Sequence, residues 1–250
     1  MPSHAIRSAI WASIFASLLA GCATPGPNHT YVASRTRETV IDLPPDGATN
    51  IEVPAYLKTQ DALSGIAYDP FTDHLFLRVA PGNFVQVIDR PARKIKRRFT
   101  VEGLPPGGGD LAIRSRDRHL FFAHPDVPQV VETTLYGRLV RSIPLEDLSS
   151  PPTGVAYDQK RNHILILSGD ARVVFYDTRG KRLEEISLER AVSPGSLAYD
   201  SAAGEIVAVL PGEPAVGFFD TQGRLLRTLP SGGEPDAFID VGPRSFIRMF

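Results

Sequence analysis

Apolar and polar residues alternate along this chain in short runs, and the runs recur with a long period. Four of them share one pattern: Gly65-Ile66-Ala67-Tyr68-Asp69, Asp110-Leu111-Ala112-Ile113-Arg114, Gly154-Val155-Ala156-Tyr157-Asp158 and Ser196-Leu197-Ala198-Tyr199-Asp200. Their alanines lie 45, 44 and 42 residues apart. A fainter fifth copy is Asp236-Ala237-Phe238-Ile239-Asp240. Short strands repeated at a period in the forties are the signature of a propeller blade. Each unit predicts four strands. The shared run is strand a. Strand b follows a polar turn, at His74–Val79, His119–Ala123, His163–Leu167 and Glu205–Leu210. Strand c is predicted at Phe84–Asp89, Gln129–Thr134, Val173–Asp177 and Val216–Asp220. A hairpin then leads to strand d. Gly180 and Gly223 supply the left-handed backbone that turn needs, as does Gly137 in the second unit. The first unit has Pro91-Ala92 there, so its hairpin must be built differently.

Counting strands closes a ring. After the fourth unit the chain has room only for strands a and b, at Asp236–Asp240 and Ser245–Phe250. Ahead of the first unit lie Glu38–Leu43 and Asn50–Leu57, and Val40-Ile41-Asp42 matches the c-strand ending Val87-Ile88-Asp89. The expected fold is therefore all-β: a β-propeller over residues 38–250 with five four-stranded blades, the last shared between N- and C-terminal strands. Sharing a blade removes the free sheet edges. A six-bladed ring would need about forty residues more.

The N-terminus follows another pattern. An apolar run beginning near Ala9 follows Arg7 and ends in Leu18-Leu19-Ala20-Gly21-Cys22. Basic start, apolar centre and small-residue end are the parts of a secretory signal. The run is about a dozen residues, short of the roughly 20 that span a bilayer. Residues 1–21 are thus expected to be a signal peptide and 22–37 a tether.

Leu-Ala-Gly-Cys resembles the lipobox of bacterial lipoproteins. The resemblance implies cleavage before Cys22, acylation of its thiol and new amine with fatty acids such as palmitate, and a membrane anchor. Two or more acyl chains hold a protein stably, at ~0.8 kcal/mol per buried CH2. By the same resemblance, Ala23 in place of an aspartate points to the outer membrane, with the domain facing the periplasm. The repeats resemble the NHL and YVTN-type propeller repeats of bacterial extracytoplasmic proteins, through Val87–Ile95, Tyr176–Leu183 and the Gly-Ile-Ala-Tyr-Asp and Gly-Val-Ala-Tyr-Asp strands. That resemblance covers nearly all of 38–250. Such families include binding scaffolds, carbohydrate-active enzymes and metal-dependent lactonases, so it implies a fold and leaves activity open.

Composition narrows the partners. The chain has 27 basic and 28 acidic side chains, a net charge of −1. Loss of the signal with Arg7 would leave a charge near −2, with no bulk attraction to nucleic acid. Cys22 is the only cysteine, so no internal disulfide can form and the core alone must hold the fold.

Several residue groups invite chemistry. His74, His119 and His163 recur at one position in successive units, which distributes them around the ring as turn residues rather than gathering them at a metal. Asp69, Asp158 and Asp200 end strand a and are suited to bonding their own turns. Leu104–Asp110 contains three consecutive glycines but lacks the Gly-Lys-Ser/Thr ending and following helix of a phosphate loop, so it reads as a d–a connection. Propeller ligands usually sit at a channel mouth reached by the d–a and b–c loops. From those loops come the candidate binding residues Asp110, Asp126, Asp170, Arg172, Glu213 and Asp236. Such carboxylates suit a hard cation or a cationic ligand. No catalytic residue, metal ligand or cofactor is assigned, although a divalent cation at the mouth is compatible with the acidic set. The chain contains no Gly-x-Ser-x-Gly or His-Glu-x-x-His motif. The expected function is a membrane-anchored envelope scaffold that binds an envelope protein or a small ligand, not nucleic acid. The alternative is a metal-dependent hydrolase or lactonase, which requires Asp110 and Asp236 to converge at the channel mouth.

Overall fold

Alternating apolar residues give each run two buried faces, and Gly, Pro, Asp and Asn end it, so the runs become short strands packed on both sides. The computed structural model describes residues 26–35, 39–47, 51–231 and 235–244. Cys22, the 1–21 segment and 245–250 lie outside these described residues.

The first three strands are β1 (Asn28–Ala33), β2 (Thr39–Leu43) and β3 (Ile51–Pro54). Blade 1 follows with β4 (Ala62–Asp69), β5 (His74–Ala80), β6 (Phe84–Asp89) and β7 (Lys94–Thr100). Blade 2 contains β8 (Leu111–Arg114), β9 (His119–Ala123), β10 (Gln129–Thr134) and β11 (Leu139–Pro144). Blade 3 contains β12 (Gly154–Asp158), β13 (His163–Ser168), β14 (Arg172–Tyr176) and β15 (Arg182–Ser187). Blade 4 contains β16 (Ala198–Asp200), β17 (Glu205–Val209), β18 (Ala215–Phe219) and β19 (Leu225–Pro230). The last strand, β20 (Phe238–Pro243), joins β1, β2 and β3 in the closing blade, in the order β20-β1-β2-β3. The chain is thus a five-bladed, all-antiparallel β-propeller. Its innermost strands β4, β8, β12, β16 and β20 each pack beside the next, and β20 packs beside β4 to close the ring.

Ring closure differs from the expected division of strands. Among the described residues the N-terminus contributes three strands and the C-terminus one, rather than two each; the strand expected at Ser245–Phe250 lies outside them. Strand b of the closing blade is β1, which forms within the 22–37 segment expected as a tether. It pairs with β20 over six residues, from Asn28 opposite Pro243 to Ala33 opposite Phe238. The physical reason is visible in the residues. His29-Thr30-Tyr31-Val32-Ala33 carries the same pattern as His119-Leu120-Phe121-Phe122-Ala123, and its apolar side chains are buried.

The core is divided into five wedges, one between each pair of adjacent blades. In β5, Leu75, Leu77 and Val79 face the closing blade while Phe76 faces blade 2. Strand d of each whole blade is largely exposed and polar, as in Lys94–Thr100. Charged outer edges of this kind oppose edge-to-edge pairing.

The c–d hairpins do more than turn. Gly137, Gly180 and Gly223 have φ of +78°, +86° and +81°. A Cβ on Gly180 would lie 1.9 Å from the carbonyl oxygen of Pro144, in the preceding blade. The N–H groups of Glu102, Glu146 and Glu189 donate to the carbonyls of Gly137, Gly180 and Gly223. Their carboxylates accept from the N–H groups of Leu139, Arg182 and Leu225. Each glutamate thus fastens its blade to the next one's hairpin. In blade 1, Arg93 takes the left-handed position at φ +50°, and Asp89 Oδ1 accepts from Ala92 N at 3.0 Å.

Candidate functional site

The turns joining strands a and b surround one mouth of the channel, and the d–a and b–c loops surround the other. A cavity of about 580 Å³ lies at the a–b mouth, opposite the loops expected to hold ligand. A smaller one of about 380 Å³ lies among those loops, between Lys58–Asp61 and Pro81–Phe84. Equivalent strand-a positions place Tyr68, Tyr157 and Tyr199 in the wall of the larger cavity, with Phe71 from a turn and Asp240 from β20. Two tyrosine hydroxyls are already engaged: Tyr68 donates to Asp73 Oδ1 at 2.9 Å and Tyr157 to Asn162 Oδ1 at 2.5 Å.

The rim is tied together across blades. Gln159 Nε2 donates to the Ile113 carbonyl at 2.7 Å, and its Oε1 accepts from Ser115 N at 2.9 Å. Gln159 N donates to Ser201 Oγ at 2.8 Å, and Lys160 Nζ to the Ala202 carbonyl at 3.0 Å. Arg118 reaches Asp69 Oδ2 at 2.6 Å. A rim fixed in advance has less ordering entropy to lose when it binds something.

The turn aspartates act as their spacing predicts. Asp158 Oδ1 accepts from Lys160 N and Arg161 N, Asp200 Oδ1 from Ala202 N and Ala203 N, and Asp69 Oδ1 from Phe71 N. The histidines are likewise separate and local. His119 Nδ1 lies 2.7 Å from Glu132 Oε1, and His74 Nε2 lies 4.0 Å from Asp89 Oδ2. Burial lowers the His74 pKa, favouring its neutral ring. The Leu104–Asp110 segment is the d–a connection that its sequence suggests, between β7 and β8.

The sequence-derived candidates are spread over five segments. Asp110 is buried, Asp126, Asp170, Glu213 and Asp236 are exposed on four other loops, and Arg172 is exposed at the start of β14. Glu213 pairs with Arg190 at 2.6 Å, and Arg172 Nη2 donates to Ser168 Oγ at 2.8 Å. Asp236, expected to enter the channel, instead lies on the surface, 59 % exposed and 3.4 Å from Arg35 Nε. The convergence of Asp110 with Asp236 required by the hydrolase reading is therefore absent. Among the described residues no group of three or more His, Cys, Asp or Glu side chains is placed to hold a metal.

The second channel carboxylate is Asp240. Asp110 Oδ2 accepts from Val155 N of the next blade at 3.0 Å, and Asp240 Oδ2 accepts from Tyr68 N of blade 1 at 2.6 Å. Asp240 Oδ1 accepts from its neighbour Val241 N at 2.8 Å. Burial pushes the Asp240 carboxyl up to about 7, against the pull of those N–H groups. Burial also raises Asp110 well above the carboxylate range; the N–H groups of Val155 and Leu111 draw it down and the charge of Asp240 adds to the rise. Sequence reasoning missed Asp240 because the fifth copy, read as Asp236–Asp240, set it at the strand-ending aspartate of the pattern, beside Asp69, Asp158 and Asp200. The β1 register instead sets Asp240 opposite Tyr31, as Ala67 and Ala112 stand opposite Phe76 and Phe121. The signal was His29, which fixes that register.

No protein-family model matches the chain, and no curated protein matches it either. Among solved structures, a protein of unknown function from Bacteroides caccae aligns over 83% of this chain and 74% of its own, with 13% identity and a TM-score of 0.50. A chain of a nidogen/laminin complex aligns over 87% of this chain and 99% of its own, with 9% identity and a TM-score of 0.57. At these identities the likeness concerns the fold, on which many functions are built.

Proposed function

We propose that this chain is a lipid-anchored binding scaffold of the bacterial cell envelope, held at the outer membrane through Cys22 and facing the periplasm. It takes an envelope protein or a small ligand at a face of the ring. The observation that carries the binding role is the closed five-bladed ring with a braced mouth opening on a cavity of about 580 Å³. Rigid scaffolds that present loops and turns at their faces suit recognition, because little order remains to be imposed on contact. The lipobox-like Leu18–Cys22 supports the anchor.

The test is expression of the full chain and of Cys22→Ala in a Gram-negative host fed an alkyne fatty acid. The wild-type chain should carry the label, shorten by its signal and fractionate with outer membranes. Cys22→Ala should carry none. An unlabelled wild-type chain in the soluble periplasm would overturn the anchor. Cross-linking in intact cells reads the scaffold role: discrete adducts lost on blocking one face support it, and a chain that remains monomeric and binds no small molecule opposes it.

A further inference from the structure

A carboxylate occupies a position where the other blades place a methyl group. Asp240 stands in register with Ala67, Ala112, Ala156 and Ala198 of blades 1 to 4. Enclosing a carboxylate is unfavourable unless something compensates its charge. Its recorded donors are two backbone N–H groups, one on each oxygen. Each oxygen keeps acceptor capacity beyond that single bond.

Among the described residues, none of the strands packed against it supplies a counter-ion. On β1, Tyr31 faces it across the ladder and His29 is paired with Asp42 at 2.6 Å. On β4 it meets Tyr68, and on β16 the titratable groups are Tyr199 and Asp200. On β17, Glu205 is bound to Arg227 at 2.7 Å. Lys160, the ammonium on the cavity rim, donates to the Ala202 carbonyl.

We propose that the a–b mouth binds a small organic cation, an ammonium or guanidinium on an apolar or aromatic body, with Asp240 as its counter-ion. This assignment rests on reading the ring as a binding protein. The walls fit the body of such a molecule. Tyr68, Tyr157, Tyr199 and Phe71 supply aromatic surface, and aromatic rings attract cations through their faces. A cavity of about 580 Å³ lies in the range of small-molecule sites, roughly 300–1,000 Å³, and is far larger than a bare ion needs. The cation binds the ionised carboxylate, so affinity falls as pH drops below the Asp240 value of about 7.

The experiment is calorimetric titration of the purified full chain with 2-phenylethylamine and its neutral isostere 2-phenylethanol. Wild type, Asp240→Asn and Ala203→Trp are compared, the last filling the cavity from its exposed rim. At pH 8 the amine should bind wild type at least about tenfold more tightly than the alcohol, a difference of 1.4 kcal/mol. Asp240→Asn should remove that preference, and Ala203→Trp should weaken both probes. Below pH 7 the amine should lose about tenfold per pH unit while the alcohol stays constant. Equal binding of the two probes would overturn the cation assignment and leave the mouth a binding site. Binding of neither would overturn the assignment and count against the mouth as a ligand site at all. The pH series and Ala203→Trp decide the matter should Asp240→Asn fail to fold.

Discussion

Arg78 is fully buried in β5, and none of its three side-chain nitrogens has a hydrogen-bond partner among the described residues. Alternation along the strand turns it toward blade 2, where its guanidinium lies 5.3 Å from the centre of the Phe122 ring. Burial lowers its pKa to about 10, which leaves it charged at neutral pH. A buried charge without a partner loses hydration that a single ring contact does not replace. Arg78→Met keeps the length of the side chain and removes the charge, and should raise the unfolding free energy by about 1–4 kcal/mol. Urea melts measure this; an equal or lower stability would mean that the guanidinium finds an acceptor in solution. Arg78 is plain in the sequence as a lone cation in an apolar run, but the run does not say whether its face meets solvent or another blade. The channel carboxylates illustrate the same limit. Two aspartates, Asp236 and Asp240, flank the degenerate last copy of the repeat, and only pairing with a strand some two hundred residues earlier decides which one lines the cavity.

At the level of elements, strands b and c of the four whole blades fall within a residue or so of their sequence positions, because two-residue alternation and turn residues both mark them. The hairpin glycines were legible as turns. Their second role was not, since the close approach to the preceding blade is a tertiary contact. Gly180→Ala therefore combines a left-handed backbone with a Cβ driven into a carbonyl oxygen, whereas Gly169, at φ +75°, has open space where its Cβ would be. Gly169→Ala should cost about 1–2 kcal/mol, the penalty of left-handed backbone alone. Gly180→Ala should cost at least about 1 kcal/mol more. Comparable denaturation midpoints for the two variants would show that the hairpin does not seat against its neighbour. The glutamates at 102, 146 and 189 stand 35, 34 and 34 residues ahead of their partner glycines. That spacing is itself a repeat, hidden because exposed charged residues carry no hydrophobic period.

For the whole molecule, closure by β1 makes the N-terminal residues part of the ring. A chain beginning at Arg35 loses β1 and leaves β20 and β2 with unpaired edges, so it should melt early and self-associate. A chain beginning at Gly26 should match the full domain. Size-exclusion chromatography with a thermal scan separates the two, and an undiminished midpoint for the shorter chain would refute the three-plus-one closure. Five blades could be counted from the repeat, whereas the place of the 580 Å³ cavity could not, since both mouths carry polar turns. The same closure orients the molecule. Gly26, Pro27 and Asn28 line the cavity as the chain enters β1. Were Cys22 acylated as proposed, Gly26 would follow the anchor by four residues, a leash of at most about 14 Å. So short a leash would turn the cavity down onto the headgroups. Its occupant would then arrive by lateral diffusion within the membrane surface, and the opposite loops would be left as a separate landing area.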